Sequence, residues 1–173
     1  MLSLLTFDIA RWTGRAFFES PAASPQCDTW RGKAPWESEA YGDYYVELED
    51  YMVGEINRFR PLVVGFESPI IAVWGGSMAT TEHTLRRLIG GTAILERLCK
   101  RRHLPCHEVH NQTAKSFIGV PGRRPKEMKA DDYKELMVDA IRALGHTVKT
   151  SHEADAVAIG LVILTDLGLL SEC

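Results

Sequence analysis

The chain has 173 residues, 45% of them hydrophobic and 25% charged, with a formal net charge of −3. Those fractions exclude a mainly disordered chain, and the length suits one sizeable core, so a single domain over 1–173 is expected. The mild acidity excludes indiscriminate attraction of polyanions by the surface as a whole, although the distribution of charge matters more.

An apolar run, Leu2 to Phe7, ends in Asp8 and reads as a buried strand delivering a carboxylate to its tip. No basic flank precedes it, and the longest apolar stretch is broken by Asp155 and Asp166, so neither a secretory leader nor a membrane span is expected and the location is expected to be cytoplasmic. The four cysteines are irregularly spaced, as for free thiols, and the grouping of Cys99, His103, Cys106, His107 and His110 fits no standard zinc finger.

A turn through Ile9–Gly14 leads to a second strand over Arg15–Glu19, and a short third strand is expected near Asp28–Lys33. Ala34–Glu37 reads as a turn into a helix. From Tyr41 to Phe59, Tyr41, Tyr45, Leu48, Met52, Ile56 and Phe59 recur at helical spacing. Pro61 stops that helix, and Leu62–Glu67 is a second buried strand ending in an acid, broken by Pro69. The segment Ser68–Thr81 reads as a loop whose Trp74 could stack on a nucleotide or cap the core.

Thr81 to Arg102 is predicted as a helix with Leu85, Leu88, Ile89, Ala93, Leu95 and Leu98 inward. Gly90-Gly91 in its middle points to close helix packing, within the fold or across a dimer. Leu104–Val109 reads as a strand, Asn111–Phe117 as a short helix, and Ile118–Lys129 as a Gly/Pro/basic loop without a core pattern. A further helix starts at Asp131-Asp132, turns Tyr133, Leu136, Met137, Ala140, Ile141 and Leu144 inward, and ends at Gly145. The last helix, Ser151–Leu164, is apolar with its charges crowded into the first turn. This order predicts an α/β fold: a mixed sheet of about five strands, antiparallel at its start and parallel later, covered by helices.

Nine acids against two bases fall between residues 19 and 55, and nine bases against two acids between 97 and 129. The basic segment supplies Lys115, Arg123, Arg124, Lys126 and Lys129 as candidate phosphate contacts, unless it is a solvated face. Three distant segments each offer a carboxylate at an element end: Asp8, Glu67 and Asp155. Hard divalent cations favour such oxygen donors, and a pair of ions can activate water for phosphodiester cleavage. Each carboxylate alone has a bland reading as a cap, surface acid or helix-dipole partner; their joint placement favours a metal site.

Asp8-Ile-Ala-Arg-Trp-Thr-Gly14, Val63-Val-Gly-Phe-Glu67 and His152-Glu-Ala-Asp-Ala-Val-Ala158, in this order and at these separations, resemble the RuvC family of Holliday junction resolvases, particularly its phage-type members. The resemblance spans nearly the whole chain. It implies a ribonuclease H-like fold, a homodimer, and Mg²⁺- or Mn²⁺-dependent cutting of paired strands at a four-way DNA junction, with Asp8, Glu67, His152 and Asp155 holding a two-ion site. His152 takes the position of the family's fourth ligand, three residues before the last aspartate and on the same helix face, whereas Glu153 points elsewhere. Lys115, Lys129 and Lys134 resemble the family's basic segment near the scissile phosphate. Ile70 stands where the family often has a stacking aromatic, a role left to Trp74. A nuclease for other branched DNA or for RNA, and a non-catalytic junction-binding module, are the alternatives.

Overall fold

Leu4–Asp8 (β1) is buried along its whole length, as a strand with neighbours on both edges and layers on both faces must be. The computed structural model describes residues 2–33, 41–69, 73–74, 77–78 and 81–170. β1 pairs antiparallel with Trp12–Phe18 (β2), which pairs antiparallel with Gln26–Arg31 (β3). On its other edge β1 pairs in parallel with Val63–Glu67 (β4), and β4 in parallel with β7 (Cys106–Val109). The sheet order is β3-β2-β1-β4-β7, the mixed five-stranded arrangement expected from the sequence. Between β4 and β7 the chain also forms β5 (Val73–Trp74) and β6 (Ser77–Met78), a two-stranded ladder inside the segment read as loop.

Strand parity divides the core in two. Leu4, Ala16, Phe18 and Val63 face one layer, formed by α3 (Asn111–Phe117), α4 (Ala130–Ala143) and α5 (Ser151–Asp166). Leu5, Phe7, Phe17, Val64 and Phe66 face the other, formed by α1 (Tyr41–Phe59) and α2 (Glu82–Arg101). α5 is buried almost all round because it lies between the sheet and the α3–α4 pair, which is why its sequence shows no polar stripe. The hydroxyl of Thr6 donates to the Ala156 carbonyl at 2.7 Å and fixes the position of α5 over β1.

The structure corrects several sequence expectations. β2 begins three residues earlier than read, because Trp12 to Gly14 continue the ladder opposite β3. On α1 the fully buried tyrosine is Tyr44, while Tyr41 and Tyr45 lie only half-buried toward α2. On α2, Ile89 and Ala93 face solvent, and Gly91, Thr92 and Cys99 are inside. Gly90 and Gly91 accommodate Tyr45 on one side and Ile9 and Leu48 on the other, so their close packing is within this chain. Leu144 is exposed and Val138 takes an inward place on α4. Ile118 and Val120 are buried under α5, so the basic connector is anchored at its start. The readings at Ala34–Glu37 and Ile70, and that of the Trp74 side chain, lie outside the described residues.

The acidic segment is also less open than its composition suggests. Glu55 pairs with the buried Arg15 of β2 at 2.8 Å, Glu49 with Arg97 at 2.5 Å and Glu47 with Lys33 at 3.0 Å. Among the described residues no helix is long and apolar enough to cross a membrane.

Candidate active site

The parity that sends Leu4 and Thr6 toward α5 sends Asp8 there as well, at the carboxyl end of the central strand. On the neighbouring parallel strand Gly65 faces α5, since a Cβ there would stand 2.2 Å from Ile163 Cδ1, and Glu67 follows it on the same face. The register Phe7↔Phe66 sets Asp8 beside Glu67. Both acids thus reach the same end and side of the sheet, Asp8 buried and Glu67 half-buried.

α5 starts over this edge. The Thr150 hydroxyl caps it by accepting from the Glu153 amide at 3.1 Å. Its first turn comes down on Gly14, the β2 partner of Asp8, where a Cβ would lie 1.9 Å from the His152 carbonyl oxygen. That close approach brings His152 Nδ1 to 2.9 Å from Asp8 Oδ2. Asp155, one turn on, shares the face of His152. Glu67 is held from the other side, its Oε1 accepting from Asn111 Nδ2 at 2.5 Å at the start of α3. A cavity of about 90 Å³ opens against Asp8, Glu67 and the β1–β2 turn, with Leu88 and Thr92 of α2 on its wall.

One electrostatic field covers the cluster. Burial, then the charges of Asp8 and Asp155, push Glu67 up to about 8, against the opposing pull of Asn111 and Lys115. Burial and Asp8 push Asp155 up to about 7, opposed by Lys115 and His152. The hydrogen bond to Asp8 raises His152, and burial and Lys134 oppose the rise. The carboxylates therefore feel one another, and Lys115 and Lys134 both reach the field. Among the described residues no three His, Cys, Asp or Glu side chains are gathered so as to hold a metal ion; Asp8 contacts His152 and Glu67 contacts Asn111.

Raised carboxyl groups have a thermodynamic sign. Between their ordinary values of 4.5 and 3.8 and the raised ones near 8 and 7, the folded chain holds more protons than the unfolded chain, so stability falls as pH rises. Without divalent metal, the urea midpoint is expected to drop from pH 5 to pH 8, and Glu67→Gln to flatten that slope. An unchanged slope in the variant would show that Glu67 ionises freely.

Glu153 is not part of this cluster. It is buried, and its carboxylate accepts from the Lys149 amide at 2.7 Å and from the Thr29 hydroxyl at 3.4 Å. Glu153→Ala is expected to cost about 2 kcal/mol through the Lys149 amide and Thr29 hydroxyl it leaves without their acceptor. Urea denaturation measures the loss, and the His152–Asp8 contact should persist, visible as an unchanged His152 titration by NMR.

Lys115 also lies 5.3 Å from the centre of the Tyr133 ring, and Lys134 pairs with Asp131 at 3.6 Å. Arg123, Arg124, Lys126 and Lys129 are exposed along the connector into α4, with Arg124 donating to the Met128 carbonyl. They form an exposed basic run between α3 and α4. Sequence reading missed Asn111 as the partner of Glu67, and Thr6 and Gly14 as what seats α5. A polar residue opening a helix directly after a parallel strand was the available signal for Asn111.

No family model and no curated protein sequence matches the chain, so the informative likeness is in three dimensions. Thermus thermophilus RuvC in complex with a Holliday junction substrate superposes with a TM-score of 0.68 over 98% of each chain, at 14% identity. The fold is that of RuvC. The RuvC fold is of the ribonuclease H-like type, with the mixed five-stranded sheet found here. Two other similar structures are a yeast mitochondrial Holliday junction resolvase (TM-score 0.52, 13% identity, 91% of this chain and 75% of that one) and the Fowlpox virus resolvase bound to its substrate junction (0.52, 12%, 96% and 99%).

Proposed function

We propose that the chain is a divalent-metal-dependent endodeoxyribonuclease that resolves four-way DNA junctions, acting as a homodimer of the phage type. What supports this reading is the Asp8–His152 contact, with Glu67 and Asp155 within the field of Asp8, all three segments converging on one sheet end of a RuvC fold. Oxygen-rich donors of this kind suit Mg²⁺ or Mn²⁺, and the imidazole favours Mn²⁺. Burial, and after it the charge of Asp8, raises both Glu67 and Asp155, and a divalent cation beside them would hold both carboxylates ionised.

Asp8, Glu67, Asp155 and His152 would hold the ions. Bound there, such ions supply an activated water and charge neutralisation at the phosphate. Asp8 orients His152 through Nδ1, leaving Nε2 to bind or to carry a proton. Lys115 and Lys134 face the same field and would offset charge that builds on the phosphate. The exposed bases Arg123, Arg124, Lys126 and Lys129 would follow the DNA backbone outward. A two-fold dimer would present one such site to each of two opposed strands.

The test is cleavage of a synthetic four-way junction beside linear duplex, flap and RNA–DNA hybrid, each with Mg²⁺ and with Mn²⁺. Preferential cutting of the junction is expected. Preference for flap or hybrid would shift the substrate to the alternatives, and tight junction binding without cutting in either metal would mark a binding module.

A further inference from the structure

Among the described residues Trp12 is the one Trp, Tyr or Phe in the exposed class, 43% accessible, and it contributes nothing to either core cluster. Its position is not casual. β2 residues 14, 16 and 18 face α5, so Trp12 continues the same face two residues past Gly14, the partner of Asp8. On β3, Thr29 faces α5 through its bond to Thr150, and Arg31, two residues on, stands opposite Trp12 in the ladder. The Arg31 guanidinium lies 4.8 Å over the indole ring.

The turn that presents this pair is fixed. The Thr13 hydroxyl donates to the Ala10 carbonyl at 2.8 Å, the Tyr44 hydroxyl reaches the same carbonyl at 3.2 Å, and the Gly32 amide donates to the Arg11 carbonyl at 3.0 Å. A flat ring and a cation are therefore held ready beside the acids, on the side of α5 away from Lys115. Two strand residues span about 7 Å. Nucleic-acid strands rise about 3.4 Å per nucleotide, so the pair lies one or two nucleotides from a phosphate at Asp8.

We infer that Trp12 and Arg31 form a nucleotide platform, the indole stacking on a base next to the phosphate held at the acids and Arg31 pairing with the adjoining backbone phosphate. This rests on the nuclease reading for the identity of the substrate, and it adds a contact that positions the strand without touching the reacting atoms. Base–aromatic stacking is worth about 1–3 kcal/mol per base, which corresponds to a loss of roughly five- to 150-fold in affinity.

Fluorescence anisotropy with a labelled synthetic four-way junction in EDTA, followed by cleavage kinetics with Mn²⁺, tests this. Trp12→Ala is expected to weaken binding and raise KM at least fivefold with kcat changed less, and Trp12→Phe to recover most of the loss. Arg31→Gln is expected to reduce the dependence of log Kd on log salt by about 1, as one phosphate contact does. A wild-type-like Trp12→Ala, with Arg31→Gln leaving the salt slope unchanged, overturns the platform while the nuclease reading stands. If the wild type instead prefers another nucleic acid, the junction assignment falls, and the same variants on that substrate decide the platform. If it binds none, both fall.

Discussion

Asp8→Asn is expected to lower junction cleavage by about 10³-fold and to leave the fold standing. The amide has the shape of the carboxylate and still meets His152, so neither the β1 ladder nor the seat of α5 is disturbed. What disappears is the charge at the centre of the cluster. Asp8 is the leading charged contributor to the upward displacement of both Glu67 and Asp155, so both return toward ordinary carboxylate values in the variant. With one anionic donor gone, the affinity of the proposed site for divalent metal is expected to fall. Three measurements separate these effects: single-turnover cleavage with Mn²⁺, junction affinity in EDTA, and thermal melting. A variant that cuts within tenfold of the wild type would remove Asp8, and with it the proposed site, from the chemistry.

Gly14→Ala attacks the same site from beneath. The added methyl would lie 1.9 Å from the His152 carbonyl oxygen and 2.3 Å from its carbonyl carbon, both backbone atoms without a rotamer to yield. The first turn of α5 must lift from the sheet. Overpacking of this kind costs about 3 kcal/mol. Displacing a catalytic group by about 1 Å can cost about 10²-fold in rate, so carrying the proposed ligands His152 and Asp155 off together is expected to cost at least that. Urea denaturation and cleavage, both measured below the melting temperature, check the two effects. Near-normal stability with normal cutting would mean that α5 is not seated on Gly14.

How much was legible in advance follows from which signals are local. An apolar run ending in an acid announces both a buried strand and where its carboxylate emerges, which is why β1 and β4 were found close to their observed bounds. Charges confined to the first turn of an apolar helix likewise fixed the start of α5. The start of β2 was read late because Gly14, a poor strand former, takes strand form from its pairing with Asp8 and Thr29, and β3 was placed two residues too far along. Tyr44, Ile89 and Ala93 were misread because α1 and α2 pack on each other and on the sheet, which rotates the buried stripe away from the simplest apolar pattern. The bond from Asn111 to Glu67 joins elements separated by 44 positions, and nothing in either segment alone announces it.

The seam between β1 and α5 also has a consequence in time. Thr6 and Ala156, which it joins by one hydrogen bond, are 150 positions apart. At a synthesis rate of about 5–20 residues per second, Asp8 emerges roughly 8 to 30 seconds before the helix that supplies His152 and Asp155 has been made. A nascent chain on the ribosome therefore carries Asp8 and Glu67 for some time without His152 and Asp155, and the proposed site is assembled only when the last helix docks.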